Sequence, residues 1–184
     1  QNVFNTCAAG QSSTNFTVDP KWQAMVAFAP WGGEAGAFSD ESINKIKVPS
    51  LYISGNADDV SGYDGIKNQF EQTTNADSYL LTYINARHNI APHPAPKEAW
   101  TSEYDFGHYY EAAWSTQQLN RINQHFTLAM MNCYLQEDSS ACEYLSLSPS
   151  SDQPKKDDKL SEVWKGFDNR YATGMKWNMS KLQE

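Results

Sequence analysis

Three short apolar runs, each closed by a glycine or a polar loop, constrain the fold of this chain more than any other feature. Residues 22–29 (WQAMVAFA) end at Pro30 and the Gly32–Gly33 pair, residues 50–54 (SLYIS) follow Pro49 and end at Gly55, and residues 78–84 (SYLLTYI) end in a polar loop. Strand-length runs that are apolar on both faces fit parallel strands buried between helix layers. Between the second and third runs lies 62–72 (GYDGIKNQFEQ), where Ile66 and Phe70 make a modest helical stripe. Strand, helix and strand within about 35 residues is the spacing of a right-handed crossover joining parallel neighbours. The expected fold class is therefore α/β, a mostly parallel sheet flanked by helices.

The strongest helical pattern runs from Ser115 to Gln136, with Leu119, Ile122, Phe126, Met130 and Cys133 on one face. Three prolines in NIAPHPAPKEAW exclude regular structure between the third run and that helix. Residues 1–20 are polar and aperiodic and read as loop. Residues 146–159 (SLSPSSDQPKKDDK) read as a surface excursion within a single domain over 1–184. The tail beyond them still holds Trp164, Phe167, Tyr171, Met175 and Trp177, which favour burial. There are no internal repeats.

At 40% apolar and 13% aromatic residues the composition is that of a folded chain rather than a disordered one. A net charge of −8 repels phosphate backbones and anionic lipid, so no nucleic-acid partner is expected. No apolar run approaches the roughly 20 residues of a membrane helix, so no membrane span is expected. No signal peptide opens the sequence. That does not make the chain cytosolic, and a periplasmic or secreted location is favoured. Cys133 and Cys142 lie close enough for a local bridge, but buried or idle thiols are the favoured reading of the three cysteines. The sequons at Asn15 and Asn178 are about what chance supplies.

In an open parallel sheet, ligands bind beyond the carboxyl ends of the strands. The loops there are Pro30-Trp31-Gly32-Gly33, Gly55-Asn56-Ala57-Asp58-Asp59 and Asn85-Ala86-Arg87-His88-Asn89. An acid and a histidine thus leave adjacent strands at one sheet edge, acid first. Imidazole can take a proton from a nucleophile and return it to a leaving group while a carboxylate fixes its tautomer. Each residue alone reads more simply, Asp58 as a helix cap and His88 as a structural histidine. Order, crossover spacing and shared edge together raise the catalytic reading.

The run Ile46–Asp58 (IKVPSLYISGNAD) resembles the acid-bearing segment of dienelactone-hydrolase-like and cutinase-like α/β-hydrolases. Ala27-Phe28-Ala29-Pro30-Trp31 resembles the strand after the nucleophile helix in polyester-hydrolysing members, Ala86–Asn89 the histidine loop, and Arg121–Phe126 the closing helix. The similarity covers roughly residues 5–136. It implies the C-terminal half of an α/β-hydrolase that cleaves carboxylic esters without a cofactor. His88 would be the general base and acid and Asp58 its orienting partner, with Asp59, one residue of register away, the competitor. Trp31 would offer a flat apolar face beside the acyl pocket; a core tryptophan under the sheet rim is the other reading.

The family's nucleophile sits on a G-x-S-x-G elbow, and no serine here has glycine at both −2 and +2; Gly10-Gln11-Ser12 gives half the pattern. The resemblance puts the elbow just before the segment matching Cys7–Gly10. An N-terminal companion segment or chain bearing the nucleophilic serine is therefore the expected partner, besides the ester substrate. The three accounts, in order of preference, are a cleaved hydrolase, an incomplete gene product and a degenerate relative that lost its chemistry. A catalytically inactive protein binding a ligand or partner in the same cleft is the alternative function. The spacing of His88, His93, His108 and His125 matches no zinc motif, and His125 reads as a packed or capping residue. Asp58, Asp59 and Asp64 do not complete a calcium loop, and no phosphate-cradling glycine run occurs.

Overall fold

Each of the three apolar runs forms a strand, and the second and third are covered on both faces. The computed structural model of the protein describes residues 21–152, 163–167 and 172–182. Strands β1 (Met25–Phe28), β2 (Ser50–Gly55) and β3 (Ser78–Tyr83) pair in parallel, and β4 (Met175–Ser180) adds antiparallel to β3, giving the order β1-β2-β3-β4. Helices α1 (Asp40–Ile43) and α2 (Tyr63–Gln72) fall between the parallel strands. The chain is thus α/β. A 3-10 turn (Lys97–Thr101) and the short α3 (Glu103–Gly107) follow β3, so the proline-rich stretch regains helical structure at its end. The long α4 (Thr116–Leu135) and the short α5 (Ser139–Cys142) come next.

β2 and β3 are buried along their whole length, and their alternating side chains feed two cores. Leu51, Ile53, Tyr79, Leu81 and Tyr83 pack toward α4, where Leu119, Ile122, Phe126 and Met130 form the facing stripe. Tyr52 and Leu80 pack toward Ile66 and Phe70 of α2. β1 departs from the expected burial. It is an edge strand, only half covered, with Phe28 38% exposed, and among the described residues nothing pairs its outer side.

The tail is more ordered than its composition announced. In β4, Met175 and Trp177 turn into the core while Lys176 and Asn178 face outward, so the Asn178 sequon lies on an exposed strand position. Trp164, Phe167 and Trp177 surround Phe126, with ring centroids 4.9–6.2 Å from it. The first part of the 146–159 excursion is not loose. Pro149 and Ser151 exchange backbone hydrogen bonds with β4, and Ser151 is buried. The rest of that excursion, Tyr171, and the readings made on residues 1–20 (Cys7–Gly10, Ser12, Asn15) lie outside the described residues.

Two further expectations change. Cys133 and Cys142 are joined in a disulfide rather than idle, because the turn after α4 brings α5 back against its last turn. His125 is packed and caps nothing. Its ring sits edge-on to Phe126, Tyr144 and Phe167 at 4.7–5.3 Å, and its buried Nε2 has no hydrogen-bond partner. Burial lowers its pKa from the usual histidine value. The unfolded chain therefore binds more protons than the folded one between that lowered value and about 6.5. Stability should be full above pH 6.5 or so and fall as the pH drops through this window. Urea titrations of wild type and His125→Phe across pH 5–7.5 check this; the variant should lose less stability on the acid side.

Candidate active site

The loop after β2 and the loop after β3 are interlocked through their backbones. The Asn56 amide donates to the Tyr83 carbonyl at 3.0 Å, the Ala57 amide to the Ala86 carbonyl at 3.0 Å, and the Asn85 amide to the Asn56 side chain at 2.6 Å. Gly55 makes this approach possible. A Cβ there would stand 2.2 Å from the Ala86 oxygen and 2.5 Å from the Arg87 oxygen, closer than real atoms come. Asn85 takes a positive φ of 64° to turn the strand into the histidine loop, a conformation asparagine tolerates better than most residues.

On this scaffold the Asp58 side chain is fully buried. A buried carboxylate must be satisfied by hydrogen bonds. Its Oδ1 accepts the amides of Val60 at 2.9 Å and Ser61 at 2.8 Å. His88 Nδ1 lies 3.1 Å from Oδ2 and 3.2 Å from Oδ1. An ionised carboxylate only accepts, so Nδ1 carries the hydrogen and Nε2 keeps its lone pair for proton exchange. The imidazole is one-third exposed and borders a cleft of about 260 Å³ shared with Phe28, Ala29, His93, His108 and Tyr109. Ala29 there holds a positive φ of 42°, and its carbonyl accepts the Ser61 hydroxyl at 2.8 Å, which docks the loop after β1 on the acid loop.

Asp59 points elsewhere. Its exposed carboxylate pairs with the Arg87 guanidinium, which holds it below the usual carboxylate range. Consecutive residues thus pair crosswise, Asp58 with His88 and Asp59 with Arg87. Trp31 is 55% exposed in the turn after β1, which excludes the core reading, and it does not line the His88 cleft. No three histidine, cysteine or acidic side chains come together as metal ligands among the described residues. Nor does any described hydroxyl or thiol hydrogen-bond to His88 Nε2.

Several supports of the histidine loop carried no sequence signal. Glu111, almost wholly buried, accepts the backbone amides of Arg87 and Ala113, both at 2.9 Å. Asn123 of α4 donates to the Ile90 carbonyl at 2.9 Å and accepts the buried Tyr83 hydroxyl at 2.8 Å. Asn89 donates to the Gly107 and Tyr110 carbonyls. Apart from the local Glu111–Ala113 bond, these are tertiary contacts across 18 to 40 residues, invisible to any local pattern. Compared with known proteins, the sequence matches no protein-family model and no curated protein.

Gly55→Ala should force the two loops apart. The expected result is loss of the downfield Nδ1 proton resonance of His88 and destabilisation of about 1–3 kcal/mol, measured by proton NMR and urea unfolding.

Proposed function

We propose that this chain supplies the proton-handling half of a serine-dependent hydrolase of carboxylic esters, as the resemblance to α/β-hydrolases of the dienelactone-hydrolase and cutinase type implies. The observation that carries this reading is the Asp58–His88 pair, a buried and fully hydrogen-bonded carboxylate on Nδ1 of an imidazole whose other nitrogen borders an open cleft. In the proposed reaction His88 Nε2 takes the proton of the serine hydroxyl as its oxygen attacks the ester carbonyl. It then returns the proton to the departing alcohol. Water repeats the sequence on the acyl-enzyme and releases the acid. Asp58 fixes the tautomer and balances the imidazolium.

The serine comes from outside the described residues, on an N-terminal companion segment or chain. Two features support that partner. The outer side of β1 is unpaired among the described residues, and beside it a groove of about 570 Å³, lined by Phe28, Pro92, Asn120 and Leu128, adjoins the His88 cleft. The lack of a described nucleophile at Nε2 favours, as a second reading, a protein that binds a ligand in the cleft without turning it over.

Turnover of p-nitrophenyl acetate by the native protein, with a fluorophosphonate adduct mapped to its serine, separates the two. His88→Ala and Asp58→Asn should each lower turnover by about 10³- to 10⁴-fold, with circular dichroism showing that each variant stays folded. Asp59→Asn should cost about threefold or less, as expected for an exposed pair. Neither turnover nor adduct in native material would leave only the binding reading.

A further inference from the structure

The segment after the histidine loop exposes several large aromatic side chains close together. Trp100 is 71% exposed, Tyr104 79% and Tyr110 51%, all within eleven positions. Exposed apolar surface concentrated in this way marks contact with another molecule. Part of it is a groove of about 520 Å³ bordered by Pro96, Ala99, Tyr104, Asp105, His108 and Tyr109. His108 and Tyr109 also border the His88 cleft, so the groove lies next to the cleft with these two residues between them.

Part of its wall is held by contacts between neighbouring turns. The His108 ring stands edge-on to Tyr104 at 4.8 Å and 76°, and its Nδ1 donates to the Tyr104 carbonyl at 2.8 Å. Asn89, the residue after His88, holds the Gly107 and Tyr110 carbonyls, which sets the aromatic segment in register with the imidazole. Trp100 seats its indole N–H on the Ala95 carbonyl at 3.2 Å and packs edge-on to Phe106, outside the groove lining.

We infer that this groove binds an uncharged aromatic arm of the substrate, placing the class as esters that carry an aryl group away from the scissile bond. Rings set edge to face present both the negative face and the positive edge that a third ring seeks. Glu98 and Asp105 beside them repel an anionic arm. Only the identity of the reacting end rests on the ester-hydrolase reading.

The test is binding without turnover. N-(2-(2-naphthyl)ethyl)acetamide, an amide analogue with its ring spaced from the carbonyl, and N-methylacetamide are compared by saturation-transfer NMR on the full chain. The naphthyl probe should bind and the methyl probe should not. Tyr104→Ala should weaken the naphthyl probe about fivefold, Trp100→Ala should leave it unchanged, and 2-naphthoate should bind more weakly than the neutral amide. Both replaced side chains are exposed, so the variants keep the fold. No naphthyl binding, a Tyr104→Ala effect under about twofold, a loss carried by Trp100→Ala instead, or co-sedimentation with phosphatidylcholine vesicles without soluble-probe binding would each overturn the site. None of these readouts depends on ester turnover, so failure of the hydrolase reading leaves them intact.

Discussion

A carboxylate withdrawn from water has to find its hydrogen bonds inside the protein, and around Asp58 the local structure is arranged by that demand. Two amides of its own turn take one oxygen, the imidazole takes the other, and the turn that delivers the amides leads directly into α2 through Gly62. The Ser61 hydroxyl in the same turn reaches back to the strained Ala29. The loops after all three parallel strands are therefore tied together around one buried charge.

The sheet makes that convergence possible. Parallel strands deliver their following loops to one edge, and β2 and β3 are direct neighbours with matched ends, Gly55 opposite Tyr83. Acid and histidine leave from the same level of the sheet, and the missing Cβ of Gly55 lets the two loops close to hydrogen-bonding range. At the other end of β3, Asp77 accepts Tyr134 and Lys181. Burial pushes its carboxyl up, but those bonds and the Leu182 amide hold it lower on balance. The chain's last strand is thereby pinned at the end remote from the cleft.

What was legible in the sequence followed from local chemistry. Continuous apolar runs closed by glycine or a polar loop announced β1, β2 and β3, and the three-and-four spacing of Leu119 to Cys133 announced α4. The order of Asp58 and His88 on neighbouring loops was also readable, because a crossover fixes which edge each loop occupies. The preference for Asp58 over Asp59 came from the resemblance, since one residue of register is decided by which side chain the turn buries. β4 was missed although Met175 and Trp177 alternate with Lys176 and Asn178. A tail strand that starts at Met175 and returns to a sheet whose preceding strand ended at Tyr83 depends on contacts no window contains. Glu111 and Asn123 belong to the same class, polar residues whose roles exist only once distant segments meet.

The bridge between Cys133 and Cys142 ties α5 to the end of the helix that roofs the main core. A crosslink of this kind forms in oxidising surroundings and is kept open where glutathione holds thiols reduced. Material made in a bacterial cytosol and material exported from it are then two different molecules, one in which packing alone holds α5 against the end of α4 and one in which a covalent bond does so as well. Which of the two is purified decides what any unfolding curve of this protein describes.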